Sequence, residues 1–359
     1  MTEESSAASH LSVAMTTEEA TQITGENTMT PASSLGVKFY FRCTVIILGV
    51  IGTAANGLIL YALVASKQHK KHVLIVNQNA FDLFGSLSLI VTYAVKISNV
   101  PLAGTVGYWV CMILLSEKLI WCGIIGSVIN LMIITVERYL KVVYSVWSKK
   151  HLHRWVIYSA VAFTWIASIV YNIAVVFPTS SVTDGACHTY SIWKNETTKV
   201  ILFVWKFLSF YVITLLLCLF CYWRILIVIR RQAKVMAGHS AAAGSSTGAG
   251  QTQTNQMQSS VIKTMIFVSA FYAISWLPTY IYMLLLNLDP DMAVVKIGYY
   301  VAELISWMYI CTNPFIYAIK FNPVKKILLR MIPCKKMDQD TAELGTIASS
   351  RTVQAGRRY

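Results

Sequence analysis

Charge is scarce in this chain, and four places where polar groups interrupt apolar sequence carry its chemistry. Asp82 lies within an apolar stretch, Glu137-Arg138-Tyr139 closes another, Trp276 stands two residues before Pro278, and Asn313-Pro314-Phe315-Ile316-Tyr317 closes the last. A carboxylate in hydrocarbon is costly, so Asp82 is a functional candidate by default, set against the plainer reading of a structural acid satisfied by amides and water. Pro314 removes a backbone donor inside a membrane-length helix and Asn313 puts an amide beside the gap, a place built to bend. Arg138 can pair with adjacent Glu137 in one arrangement and with another partner in a second. Ion pairing and helix bending suit a bundle that changes shape better than a static anchor. No His, Cys, Asp and Ser fall at catalytic spacing, and His69, His72, His151 and His153 read as solvated groups in loops or at helix ends. No enzyme is expected.

The elements that must position these residues are membrane spans. The chain has 359 residues, 56% hydrophobic and 13% charged, where soluble domains carry roughly a quarter charged. Seven apolar stretches reach the ~20 residues a span needs: about 39–65, 72–98, 107–140, 154–177, 199–229, 260–288 and 294–319. The expected organisation is a disordered outer tail over 1–38, a bundle over 39–333 with a flexible Gly/Ala/Ser/Thr/Gln-rich inner loop at 237–260, and an inner tail over 334–359.

The net charge of +14 raises nucleic acid as a partner, but its location argues otherwise. With the first 37 residues outside, Lys67, Lys70, Lys71, Lys149, Lys150, Arg154, Arg230, Arg231, Lys234, Lys325, Lys326 and Arg330 all fall inside. That is the positive-inside pattern, with some attraction to anionic membrane lipids. The first 37 residues hold no Lys or Arg and no signal-peptide core, so the first span is expected to serve as an uncleaved insertion signal. Asn195-Glu196-Thr197 is a glycosylation acceptor in an outer loop. Cys122, Cys218, Cys221 and Cys311 lie in apolar stretches as small buried groups, whereas Cys111 and Cys187 share the oxidising side and form the natural disulfide. Cys334 has a juxtamembrane setting suited to palmitoylation. Thr341, Thr346, Ser349, Ser350 and Thr352 offer phosphate sites in the inner tail.

Together these residues resemble the rhodopsin-like family of G-protein-coupled receptors. The likeness covers roughly 39–334 and rests on Asn56, Asp82, Glu137-Arg138-Tyr139, Trp165, Tyr222, Trp276-Leu277-Pro278 and Asn313-Pro314-Phe315-Ile316-Tyr317, in order along seven spans. It implies an all-α seven-transmembrane bundle with a short amphipathic helix after the seventh span, a plasma-membrane location, an extracellular ligand, and heterotrimeric G proteins as partners, with arrestin and receptor kinases behind them. It also implies that Asp82, Ser127, Asn56 and Asn313 can admit an allosteric sodium ion. Arg138 is then the group that shifts on activation, Tyr222 and Tyr317 swing towards it, and Trp276 transmits ligand pressure to the bend at Pro278.

Departures from the family pattern carry their own expectations. Thr214 replaces the usual Pro of the fifth span, and Tyr272 stands where a Phe is common. Ser145 replaces a Pro in the second inner loop and leaves Val146 to insert into the G protein. The sixth span offers Gln258 and no acid opposite Arg138, so a weak inner latch and basal signalling are expected. Cys111 precedes Arg138 by 27 residues, two more than the usual spacing.

The amine-receptor Asp position is Ile120 and the retinal Lys position is Trp307, which disfavours both ligand types. Glu117, Lys118, Trp121, Lys206, Tyr280, Glu303 and Trp307 remain near the outer mouth. Aromatic faces with charges of both signs suit a peptide, with a lipid or small molecule as the alternative; core packing or an interfacial belt is the plainer reading of the aromatics. A transporter fits less well, because no repeats or matching broken helices occur.

Overall fold

The computed structural model of the chain describes residues 31–99, 101–176, 180–183, 185–189, 196–242, 249–288, 296–320 and 322–331. Asn195, Cys334 and the phosphate-site cluster of the inner tail lie outside them. The first helix, α1, is Pro31–Ala65 and the second, α2, is Val73–Ser98. The third crossing is built from α3, Gly104–Val110, a wide π-type turn at Cys111–Leu115, and α4, Lys118–Val143. The short α5, Ser145–His151, lies in the second inner loop, and α6, Arg154–Val176, is the fourth crossing. The fifth joins α7, Glu196–Lys206, through a second π-type segment at Phe207–Val212 to α8, Ile213–Ala242; then come α9, Ala249–Leu288, α10, Lys296–Lys320, and α11, Asn322–Met331.

Six of these crossings are long and apolar enough by composition alone. The seventh, α10, is less apolar because it carries Glu303, Ser306, Thr312 and Asn313, yet its 25 residues rise about 37 Å, enough to cross a ~30 Å core. It packs against α1, α2 and α9, and Glu303, Ser306 and Asn313 are buried among them, while Thr312 bonds back to the Met308 carbonyl of its own helix. The fold is a seven-helix membrane bundle.

Several boundaries differ from expectation, each for a local reason. α1 starts inside the 1–38 segment read as tail. α8 and α9 run into the 237–260 segment read as a flexible loop, because its Ala and Gln residues are good helix formers that continue helices already begun. An outer hairpin was not foreseen: β1, Ser180–Thr183, pairs antiparallel with β2, Ala186–Thr189. An Asp-Gly pair between two short runs is a hairpin signal in the sequence, and Gly185 takes the positive φ of 74° that such turns demand. Cys187 on β2 is bonded to Cys111, with 5.4 Å between Cα atoms, which ties the hairpin to the third crossing.

Burial runs inside-out. On α6, Thr164, Ser168 and Asn172 recur every four residues and face inward, while Phe163, Ile166, Ile169, Val170 and Ile173 face outward. The helices α2 and α4 touch through glycines, since a Cβ on Gly123 would lie 2.8 Å from the Gly85 Cα. The amphipathic α11 buries Val324 and exposes Lys325 and Arg330.

Candidate functional site

At the inner end, helix register brings Glu137, Arg138 and Lys141 together. Arg138 Nε lies 2.9 Å from Glu137 Oε2, and Lys141 contacts the other carboxylate oxygen one turn on. Among the described residues no acid from α9 joins them. The Tyr222 hydroxyl is elsewhere, 3.0 Å from Thr135 Oγ1 and 3.3 Å from Ser269 Oγ. Tyr317 is buried and its hydroxyl has no hydrogen-bond partner among the described residues. Tyr139 packs its ring against Tyr144 and Phe220. Val146 on α5 is 83% exposed, an apolar side chain held out at the end of the bundle that carries Arg138. His72, expected to be solvated, is buried just before α2 instead. Burial first, then Arg138, Lys71 and Lys141, holds its pKa at about 4 rather than 6.5. It therefore stays neutral at neutral pH and provides no proton switch there.

In mid-membrane, Asp82 is fully buried. Ser127 donates to its Oδ1 at 2.8 Å and Asn313 to its Oδ2 at 2.7 Å. Gln78 donates to the Ser127 oxygen, Asn130 to Gln78 at 2.7 Å, Asn77 to Asn130 at 2.9 Å, and Trp165 to Asn77 at 2.9 Å. The acid is thus the end of a polar ladder crossing α2, α4 and α6. The Asn56 amide nitrogen has a task of its own. Pro314 lacks the N–H that would bind the carbonyl four residues back, and that carbonyl, Ile310 O, accepts from the Asn56 amide at 3.0 Å. The missing backbone bond in α10 is compensated from α1.

At the outer end, Trp121 sits 5.8 Å from Trp276 and 6.2 Å from Trp307 between ring centroids. Tyr280 packs on Trp276, Phe207 and Tyr211, and Lys206 Nζ stands 5.9 Å over the Trp121 ring. Trp276 is within one turn of Pro278, and its indole N–H has no partner among the described residues. The two extra residues of the third crossing are taken up by the wide turn at 111–115 and by Glu117, which adopts a left-handed φ of 59°. For a residue with a Cβ that conformation costs about 1–2 kcal/mol. Its carboxylate is held from α2: Lys96 Nζ lies 2.7 Å and the Tyr93 hydroxyl 3.0 Å from the same oxygen, Oε1.

The family model described as 7 transmembrane receptor (rhodopsin family) matches residues 55–317. The chain belongs to the rhodopsin family of seven-transmembrane receptors. The receptor is 23% identical over 314 residues to the C-C chemokine receptor type 8 of mouse, covering 82% of this chain and 79% of that one. It is 23% identical over 323 residues to mouse galanin receptor type 1, covering 86% of each. Squid rhodopsin shares the fold, with TM-score 0.69 at 17% identity over 86% of this chain and 87% of that one.

Of the receptor's predicted site residues, Asp82, Ser127 and Asn313 meet, as do Trp121, Lys206, Tyr280, Trp276 and Trp307. Sequence reasoning missed Lys96, Tyr93, Gln78, Asn130 and Tyr309, whose buried hydroxyl lies 3.2 Å from Ser127 Oγ in the Asp82 pocket. Lys96 was findable, being the only cation inside the second span.

The two family departures in the fifth and sixth spans face one another. Tyr272 donates to the Phe210 carbonyl in the π-type segment, and Tyr211 donates back to the Ala273 carbonyl at 2.9 Å. Thr214 is fully buried beside Met132. A π-type turn with two tyrosine clasps replaces the Pro. Tyr272→Phe removes one clasp, about 1 kcal/mol, and is expected to lower the Tm of the solubilised receptor by a few degrees. An unchanged Tm by differential scanning fluorimetry would contradict the clasp.

Proposed function

We propose that the receptor binds an extracellular peptide and activates heterotrimeric G proteins by rearranging the inner ends of its helices. The observation that carries this is the pairing of a charged, aromatic-walled outer cluster (Glu117, Lys96, Trp121, Trp307) with an inner Arg138 held by a single neighbouring acid. Relatives named for a chemokine and for galanin favour a polypeptide ligand over a lipid. A ligand pressing on Trp121 and Trp276 would change the bend at Pro278 and open the inner end, exposing a groove for a partner helix. A G-protein reporter in cells challenged with peptide and metabolite libraries tests this; a saturable peptide response is expected, and a response confined to lipids would overturn the ligand class.

Orientation follows the same reading: the amino terminus outside, the carboxyl terminus in the cytosol and the receptor at the plasma membrane, with the inner Lys and Arg residues setting the sense of insertion. Arrestin and receptor kinases would meet the inner tail.

The Asp82 pocket fits a small hard cation. Its donors are oxygens, and the buried Asn313 Oδ1 has no hydrogen-bond partner among the described residues. Asp82, Ser127 and Asn313 would hold sodium and favour the resting arrangement. Replacing choline chloride by sodium chloride is expected to lower basal G-protein activation by the parent and to leave Asp82→Asn unaffected. Equal sodium sensitivity in both would remove the ion from the scheme.

A further inference from the structure

Two carboxylates at the outer mouth lie near one ammonium, which is paired with only one of them. Glu117 is held by Lys96 and Tyr93, both from α2. Glu303 on α10 is only 7% exposed, and its Oε2 has no hydrogen-bond partner among the described residues. Its charged neighbours are Glu117 and Lys96, and Tyr299 and Trp307 stand within hydrogen-bonding reach of its carboxyl, which leaves Oε2 as the open atom. The Arg42 guanidinium is engaged at the Lys96 carbonyl, 2.6 Å away. Among the described residues, a buried acid with an open oxygen thus stands beside a second acid already held by Lys96, an arrangement that has room for a further positive group.

We infer that Glu303 and Glu117 form the subsite for a cationic side chain of the ligand, Lys or Arg, and that Lys96 is the internal stand-in that such a group displaces. This rests on the receptor reading above and names the chemistry of its ligand. An incoming cation takes the open oxygen of Glu303 and competes with Lys96 for Glu117. Glu117 then loses its grip on α2, which holds the left-handed turn in place. Trp121 follows one turn later, its N–H bonded to the Glu117 carbonyl at 3.0 Å, and it bears on Trp276 and Trp307. Ion-pair exchange at the mouth is thereby connected to the aromatic cluster beside Pro278.

The probes are matched pools of N-acetylated, C-amidated hexapeptides that differ only in carrying Lys and Arg, Asp and Glu, or neither. They are applied to cells with verified surface receptor and a promiscuous G-protein reporter. The basic pool alone is expected to activate the parent. Glu303→Gln should shift the half-maximal concentration upward by about tenfold to a hundredfold, the loss of one charge-assisted hydrogen bond. Glu303→Asp, which keeps the charge, should recover part of it. The double charge swap K96E/E117K keeps an ion pair for folding, and should lose the basic response while the acidic pool gains one. A merely structural pair would leave the swapped receptor responding to the basic pool, and that result overturns the inference. Activation of the parent by acidic or neutral pools leaves the peptide receptor standing and sinks the cationic subsite. Silence in every pool with receptor at the surface sinks both.

Discussion

Receptor carrying Gly126→Val is expected to fail to reach the cell surface, while Gly57→Ala reaches it like the parent. A Cβ on Gly126 would lie 2.5 Å or less from three carbons of the Phe81 ring, far inside van der Waals contact. The ring cannot step aside, because it is fully buried and stacked on Trp165 at 4.0 Å between centroids. Trp165 is in turn fixed by its bond to Asn77. Overpacking by one methylene costs typically 1–3 kcal/mol, and valine adds three carbons against a ring clamped between α4 and α6. A loss of about 3 kcal/mol or more would consume much of the stability of a typical domain. A methyl group added at Gly57 would meet nothing within 4 Å, so that position controls for helix propensity. Surface immunostaining and the Tm of the solubilised fraction read the difference. Normal expression of Gly126→Val would mean that α2 and α4 do not approach as closely as described.

Arg138→Ala is expected to reduce G-protein activation to that of cells without receptor, and Glu137→Gln to raise basal activation several-fold. The two changes act on one ion pair from opposite sides. Glu137 is almost buried and shared between Arg138 and Lys141; converting it to the neutral amide leaves Arg138 without its described anionic partner. A charge-assisted contact contributes about 1.5–3 kcal/mol. Even about 1.4 kcal/mol shifts a two-state population tenfold. The parent should itself show basal activity, since α9 supplies no second acid among the described residues. Basal activity at the vector-only level in both parent and Glu137→Gln would contradict the weak latch.

The sequence made the membrane bundle readable because span length is a consequence of solvent physics. Asp82, Arg138 and Pro314 stood out for the same reason, each being expensive in hydrocarbon. The rule extends to Gln78, Asn77 and Asn130, whose ladder could have been predicted from polar residues repeated within the second and third spans. What spacing could not reveal was the outcome of three-dimensional competition. Two extra residues before Arg138 marked a distortion, but only packing decided that Glu117 would take the left-handed turn and be held from α2. Asn56 reads as a neighbour of Asp82, and spacing could not show that its amide nitrogen also serves the carbonyl that Pro314 frees. The missing Pro of the fifth span pointed to an unusual relay without showing that Tyr211 and Tyr272 would clasp the opposite backbone. The outer hairpin was legible from its Asp-Gly pair and was passed over in a region read for its cysteine.

The most direct test is nucleotide exchange on purified heterotrimeric G proteins by the receptor in lipid nanodiscs, with and without the basic hexapeptide pool. Receptor-dependent exchange above empty nanodiscs, faster with peptide and absent with Arg138→Ala, is the predicted result. Exchange equal to that of empty nanodiscs across every G-protein class, with folded receptor and peptide present, would contradict a bundle whose outer mouth controls its inner end.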